Sequence, residues 1–160
     1  MTDFAFVDRD FKKFPKLLLA EVPDFAAAQE FRELSSDEVS SPGLLTAAFT
    51  RYFARLLQEK CSIPRRLTPQ VKIEKGFELI EKLAKSPDPE VENLAVVEVF
   101  ENLNLSDPEL GEFLRGLKPV SKALYERWLP EYPSSRKTMS PLAKLFHILS
   151  RLGCAAGVIP

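Results

Sequence analysis

The sequence predicts an all-α protein, folded as a single compact domain of seven or eight short helices over residues 1–160. Two observations carry this prediction. Proline follows a helix-capping residue at five places, and the apolar residues between these places recur at helical spacing. No convincing run shows the period-two alternation of a half-buried strand. The stretch from Phe4 to Val7 could form a short strand, but nothing offers it a partner.

Proline marks the predicted helix starts. A Ser, Thr or Asp side chain can accept a hydrogen bond from a free amide at a helix N-terminus, and proline at the first helical position lacks only an amide that has no partner there. The five dipeptides are Ser41-Pro42, Thr68-Pro69, Asp88-Pro89, Asp107-Pro108 and Ser140-Pro141. At the fourth, Ser106 and Glu109 add a capping box, which moves the predicted start back by one residue.

The apolar spacing predicts the helices themselves. They span 11–22 and 24–34, divided by Pro23, and then 43–60, 69–85, 89–103, 119–129 and 141–152. The apolar residues of 43–60 recur at i, i+3 and i+4, so they form one stripe that requires a core. The polar segment 129–140 is interpreted as a connector, with a mobile partner-contacting loop as the alternative.

Composition excludes several classes of protein. Hydrophobic residues make up 45% and charged residues 28% of the chain, which is typical of a globular domain and not of a disordered chain. No apolar run approaches the roughly 18 residues that a membrane helix needs, and the acidic N-terminus lacks the basic lead of a secretory signal. We therefore expect a cytoplasmic protein. Cys61 and Cys154 lie in no CxxC pattern and are predicted to be buried free thiols.

Familiar signatures of catalysis and cofactor binding are missing from the sequence. There is no G-x-S-x-G, H-E-x-x-H, Walker or G-x-G-x-x-G motif, so neither an enzyme nor a bound cofactor or metal is expected. His147 lies between Phe146 and Ile148 on a predicted apolar helix, where a packed side chain is commoner than a catalyst. The bases of the C-terminal part occur singly, which disfavours nucleic-acid binding.

Charge is segregated along the chain. The net charge is −1, yet the stretch between Lys85 and Arg115 holds eight acids and no base. From Arg115 onward the sign reverses, with eight bases against two acids. Such a separation can steer a basic partner towards one face.

The helix predicted at 89–103 carries four of those acids. On a helical wheel at about 100° per residue, its apolar side chains cover an arc too wide for a surface helix, which predicts a helix inserted among others. The remaining arc holds Glu90, Glu98, Glu101 and Asn102. Three interpretations of that arc stay open: a solvated face, a partner-binding acidic surface, and a metal or catalytic carboxylate cluster.

Residues 70–128 resemble a family of uncharacterised bacterial all-helical domains. The matching stretches are FELIEKLAKSPDPEVENLAVVEVFENL and, after a capped turn, FLRGLKPVSKALYERW. Members of that family are small intracellular proteins similar to the antidotes that accompany bacterial polymorphic toxins. The resemblance implies a toxin-immunity protein without catalytic residues, and it marks 70–128 as a central helical hairpin unit.

The leading hypothesis is an immunity-type protein, or antitoxin, that binds a cognate toxin domain and occludes its active cleft, which is expected to be basic. The contact is predicted on a surface named here the acidic strip: Glu90, Glu98, Glu101, Asn102, Asp107, Glu109 and Glu112. Neither a nucleic acid nor a membrane is expected as a partner, and the oligomeric state is left open.

Two alternatives come from other functional classes. The first is a helical-repeat adaptor or regulatory protein, built from HEAT-like hairpins, that holds a peptide or protein partner in a concave groove. Its capped helix starts show no clear recurring period. The second is a small helical enzyme that uses Glu98, Glu101 or His147, which requires these groups to converge in a pocket.

Overall fold

The computed structural model of the protein describes residues 4–63 and 69–129, with side chains from residue 11 onward. Within those ranges the chain is helical between its turns and contains no strand, so the predicted all-α fold class is confirmed. The elements in chain order are α1 (Phe4–Glu21), a 3₁₀ turn (Pro23–Ala27), α2 (Gln29–Arg32), α3 (Ser36–Ser40), α4 (Pro42–Ser62), α5 (Gln70–Ala84), α6 (Pro89–Leu94), a π-helical segment (Ala95–Phe100), α7 (Asp107–Gly116) and α8 (Pro119–Trp128).

Three of the predicted helix starts are confirmed by their capping contacts. The Ser41 hydroxyl accepts from the Leu44 amide at the start of α4, and Asp88 Oδ1 accepts from the Glu90 amide at 2.9 Å at the start of α6. At α7 the Ser106 amide donates to Glu109 Oε2 at 2.8 Å, as the capping box requires. The starts at Thr68 and Ser140 involve residues outside the described ranges.

Other predictions fall on residues that the structure does not describe. They are the helix at 141–152, nearly all of the connector at 129–140, the packing of His147 and the burial of Cys154.

The stretch Phe4–Val7, where the sequence allows a short strand as an alternative, is the first turn of α1, because four apolar-rich residues alone do not distinguish a strand from a helix. Two predictions about the described residues are wrong. The segment predicted as one helix at 24–34 divides into the 3₁₀ turn and α2, since the extended backbone of Ala28 interrupts the helix. Cys61 is exposed because it lies on the outer side of the last turn of α4.

Helix α4 lies at the centre of the described fold. It contacts α1, α2, α3, α5, α6, α7 and the π-helical segment, and its buried side is lined by large apolar residues. In a helical solenoid each repeat contacts only its neighbours, so a central helix of this kind differs from a stack of HEAT-like hairpins. None of the described helices is long and apolar enough to span a membrane.

A run of aromatic rings forms the core around α4. The rings contact one another in series from the 3₁₀ turn to α8: Phe25, Phe49, Phe53, Phe77, Phe113, Tyr125 and Trp128. Two glycines allow the rings to approach a helix backbone. A Cβ at Gly76 would lie 2.4 Å from the Phe53 ring, and one at Gly116 would lie 2.0 Å from the Phe77 ring.

The predicted burial of the 89–103 segment is confirmed. Val91, Leu94, Ala95, Val99 and Phe100 are buried there. The segment packs against neighbours on several sides, since α6 contacts α1, α4 and α5 while the π-helical segment contacts α4, α5 and α8. Its acidic residues are therefore presented from an element that the core fixes firmly.

Candidate partner-binding surface

The acidic strip is carried in part by the π-helical segment, where hydrogen bonds span five residues instead of four. The Glu101 amide donates to the Val96 carbonyl at 3.0 Å. Widening a turn in this way leaves carbonyls for other donors, and two side chains supply them. Asn102 Nδ2 donates to the Val97 carbonyl at 2.7 Å, and Thr50 Oγ1 donates to the Glu98 carbonyl at 2.9 Å. Single π-helical turns are frequent at functional sites.

Glu98 lies on this segment with its carboxylate over the start of α4. A Cβ at Gly43 would lie 3.3 Å from Glu98 Oε1, so the absence of a side chain at Gly43 makes room for the acid. The carboxylate is half-buried and has no ion-pair or hydrogen-bond partner among the described residues. Burial, and then the neighbouring charge of Glu101, raise the pKa of Glu98 above its ordinary value.

Glu101 is exposed, and its carboxylate likewise has no partner in the described part of the chain. Its charge acts on Glu98 without a nearby base to offset either acid. Glu98 and Glu101 therefore form an uncompensated pair of carboxylates, named here the Glu98–Glu101 pair. This is the part of the acidic strip that the structure brings together and leaves free.

At the far end of the strip, Glu112 is engaged inside the chain. Its carboxylate binds Lys60 Nζ at 2.7 Å and also pairs with Arg115 on its own helix. The hydrogen bond from Lys60 lowers the pKa of Glu112 despite some desolvation. Glu109 is used in the capping box of α7, where it accepts from the Ser106 amide.

The two ends of the acidic strip lie against opposite ends of helix α4. Glu98 packs over Gly43 near the start of α4, whereas Glu112 pairs with Lys60 near its end. Gly43 and Lys60 are separated by about 25 Å of helix axis at 1.5 Å per residue. The seven residues therefore do not form one continuous face. Those close to the Glu98–Glu101 pair and those close to Lys60 belong to different parts of the surface.

The remaining members of the strip differ in their use. Glu90 and Asp107 are exposed at the first turns of α6 and α7 and have no side-chain partner among the described residues. Asn102 is engaged at the end of the π-helical segment, where its side-chain amide donates to the Val97 carbonyl. Two acids outside the strip are also engaged, since Asp88 caps α6 and Glu92 pairs with Arg127 of α8 at 3.2 Å.

The described residues bear on the metal interpretation of the acidic arc and not on the catalytic one. No group of three or more His, Cys, Asp or Glu side chains there could hold a metal ion. The enzyme hypothesis in its simplest form needs His147 beside the acids, and His147 lies outside the described ranges.

Two features of the described residues were not predicted from the sequence. One is Glu81 of α5, whose carboxylate accepts from the Val120 and Ser121 amides at the start of α8. The other is a pocket of about 480 Å³ whose walls come from the 3₁₀ turn, α2, α4 and α5. Each joins residues that are distant in sequence, and no local motif signals such contacts.

Comparison with known families gives one match. Residues 15–131 match the sequence model of a family described as Domain of unknown function (DUF7674). The chain belongs to this family. The matched part of the DUF7674 domain runs from α1 past the end of α8, and it contains the 70–128 unit. Its description carries no statement about toxin immunity, and no curated protein and no solved structure matches the chain.

Proposed function

We propose that this DUF7674 protein is an immunity-type interaction protein that binds a cognate bacterial toxin domain and occludes its basic active cleft. The observation that supports the proposal is the Glu98–Glu101 pair, two adjacent carboxylates without a base to offset them in the described part of the chain. Other acids of the strip are already used within the fold, as the contacts of Glu112 and Glu109 show.

An uncompensated, half-buried acid is costly in the free protein. Desolvation and like-charge repulsion both disfavour the ionised form of Glu98, and an attractive contact with an arginine or lysine of a partner would offset both effects. A partner with a basic cleft would also be steered towards the acidic side, which raises the association rate and suppresses neutral or acidic competitors. The same pair on a fully solvated acidic face would gain much less from such a contact.

Rigid presentation also favours a binding role. Thr50, itself buried on α4, holds the Glu98 carbonyl, while Gly43 lets the carboxylate rest against the start of α4. A surface whose backbone is already fixed loses little conformational entropy when a partner docks. Blocking an active cleft requires shape complementarity and no chemistry, so a fixed acidic turn is sufficient.

Contacts within the chain reduce the number of strip residues that are available to a partner. The centre is Glu98 and Glu101, with Glu90 and Asp107 as exposed acids that can extend it. Glu109, Glu112 and Asn102 would have to give up contacts within the chain in order to bind a partner. We therefore assign them no more than a supporting role.

The experiment pairs the protein with a toxin domain sought among the products of neighbouring genes, and it measures affinity by calorimetry and protection by co-expression. The double variant Glu98→Lys/Glu101→Lys should weaken binding about 100-fold or more, because two attractive contacts become repulsive. The matched control is Glu33→Lys/Glu78→Lys, which reverses two exposed acids on α5 and beside α2 and should change affinity less than about threefold.

Three outcomes would contradict parts of the proposal. Equal loss of affinity in the two double variants would assign the effect to total charge and not to the Glu98–Glu101 pair. Unchanged affinity in the Glu98→Lys/Glu101→Lys protein would place the interface elsewhere. Tight binding without protection against the toxin would favour the adaptor or regulatory alternative, in which the protein recruits a partner and does not inhibit it.

A further inference from the structure

A second candidate site shares no residue with the acidic strip. It is the pocket of about 480 Å³ formed by the 3₁₀ turn, α2, the second half of α4 and the start of α5. Its volume lies within the range of small-molecule sites, which is about 300–1,000 Å³. Six side chains of its wall carry the argument: Asp24, Arg32, Tyr52, Arg55, Glu59 and Lys72.

Tyr52 forms the wall of the pocket on the side of the core. Its ring packs against Phe25 and Phe49, and the side chain is only 3% exposed. The hydroxyl nevertheless has no hydrogen-bond partner among the described residues. Buried tyrosine hydroxyls usually have a partner, so an unpartnered one beside a pocket points to a ligand.

Tyr52 lines this pocket together with three of the charged residues that act on its hydroxyl. Burial, and then the charge of Asp24, raise the pKa of Tyr52 to about 12, and Arg55 and Glu59 also act on it. Asp24, Arg55 and Glu59 all line the same pocket. Because its pKa is so high, the group stays a neutral hydroxyl at physiological pH and can donate a hydrogen bond to an anionic acceptor.

One side of the pocket is rigid. Arg55 lies over the Tyr52 ring with its guanidinium carbon 5.5 Å from the ring centre. Its Nε and one terminal nitrogen donate to Glu30 at 2.7 and 3.1 Å, and the other donates to Glu59 at 2.8 Å. Three of its five N–H groups are used in this way, which fixes the guanidinium and leaves two donors.

The rim of the pocket carries both signs of charge in a loose arrangement. Lys72 Nζ lies 3.6 Å from Asp24 Oδ1, which is longer than a good hydrogen bond. Arg32 is exposed and pairs with no acid among the described residues. The rim thus offers cations for a carboxylate and an acid for an ammonium group, while a dianion such as phosphate would meet Asp24 and Glu59 at close range.

We propose that this pocket binds a small zwitterion, a free amino acid or dipeptide. Its carboxylate accepts from the Tyr52 hydroxyl and is neutralised by Arg32 and Lys72, and its ammonium group lies towards Asp24. The hydroxyl oxygen has essentially no exposed area, so the ligand must part the side chains directly above it. Binding at this site is independent of the proposed toxin contact, because the two sites use different residues.

The test titrates the full-length protein with the twenty amino acids and a set of dipeptides, followed by amide chemical shifts and calorimetry. Two matched probe series keep the side chain of the best ligand but remove its ammonium group or its carboxylate. We expect at least one zwitterion to bind with Kd below about 1 mM, and removal of either charge to weaken it about tenfold or more. Shifts should concentrate at Asp24, Tyr52 and Lys72.

Variants separate the site from adventitious binding. Tyr52→Phe should weaken the best ligand at least about fivefold while leaving the thermal midpoint of the free protein unchanged or higher, since it removes a buried hydroxyl without a partner. Arg32→Gln should also weaken it, whereas Arg51→Gln, an exposed arginine of α4 outside the pocket, should not.

The proposal is overturned if no probe binds below about 10 mM, or if the acids without an ammonium group bind as tightly as the zwitterions. Equal affinities in Tyr52→Phe and the unmodified protein would equally overturn it. None of these results bears on the toxin contact, which is tested with different variants and a different partner.

Discussion

Glu81 and Glu98 are both glutamates, but hydrogen-bond donors surround the carboxylate of Glu81 and none contacts that of Glu98 in the described part of the chain. Glu81 of α5 is buried, but its carboxylate accepts from two backbone amides of α8 and lies 3.1 Å from Lys85 Nζ. Its pKa falls to about 2 because these hydrogen bonds outweigh desolvation, which is the largest single effect. Glu98 is only half-buried, yet its pKa rises because nothing offsets desolvation and the charge of Glu101.

The difference shows that burial alone does not decide how an acid behaves. A carboxylate with donors around it stabilises the fold, whereas one without donors destabilises the free protein and remains available to a partner. The charge count between Lys85 and Arg115 cannot make this distinction, because it weighs paired and unpaired acids equally.

The largest expected effect is at Glu81. Glu81→Ala removes the acceptor of two amides at the start of α8, where Lys118 at the N-cap position makes no capping bond through its side chain. The pKa shift from 4.5 to about 2 corresponds to roughly 3 kcal/mol of unfolding free energy at pH 7, as an order of magnitude. Urea denaturation measures this loss, with Glu78→Ala, an exposed acid on the same helix, as the control.

The same acid predicts how stability depends on pH. Its folded-state pKa lies below its unfolded value, so its contribution is complete above about pH 4.5 and is lost as the pH falls towards about 2. Glu81→Gln should lack that part of the acid dependence. If the variant and the unmodified protein lost stability in parallel between pH 5 and pH 2, the low pKa of Glu81 would be disproved.

The next largest changes in stability are expected on substitution of two glycines of α7. Gly116 lies against the Phe77 ring, and a Cβ there would overlap it, so Gly116→Ala should cost about 1–3 kcal/mol of unfolding free energy. Gly111 has nothing within 4 Å of an added Cβ, so Gly111→Ala should add about 0.4–1 kcal/mol through the lower entropy of the unfolded chain. Thermal unfolding of both variants checks the prediction, which requires Gly116→Ala to lower the thermal midpoint and Gly111→Ala to raise it.

The smallest effect is at Glu98. Its folded-state pKa is raised, so the ionised acid costs stability at pH 7 and this cost disappears below the unfolded value near 4.5. Glu98→Gln should therefore stabilise the protein slightly at pH 7, by less than either glycine substitution changes its stability because Glu98 is partly exposed, and change little at pH 4. Glu90→Gln, at an exposed acid of α6, serves as the control. A loss of stability at pH 7 would mean that Glu98 has a favourable contact.

Local signals in the sequence predicted much of the fold. Cap residues before proline located the starts of α4, α6 and α7, because a cap depends on only four consecutive residues. The capping box at Ser35 and Glu38 marks the start of α3 in the same way.

The candidate site was predicted less well because its members depend on tertiary contacts. A wheel at 100° per residue assumes an α-helix, and the π-helical segment at Ala95–Phe100 changes that rotation. The pairing of Glu112 with Lys60 joins α7 to α4 across more than 50 residues, so no local pattern shows that this acid is already engaged. The structure does bring Glu98 and Glu101 close to each other, as predicted, because they are only three residues apart in sequence.

The contact between Glu81 and the start of α8 also bears on the order in which the fold assembles. The acid precedes the amides that it accepts from by about 40 residues, so the N-terminus of α8 is completed by a segment that leaves the ribosome earlier. Helix α8 is then not an independent unit, because opening it takes two amide donors away from the Glu81 carboxylate. In native-state hydrogen exchange, the Val120 and Ser121 amides should report the opening of α5 and α8 together and not the fraying of a single helix end.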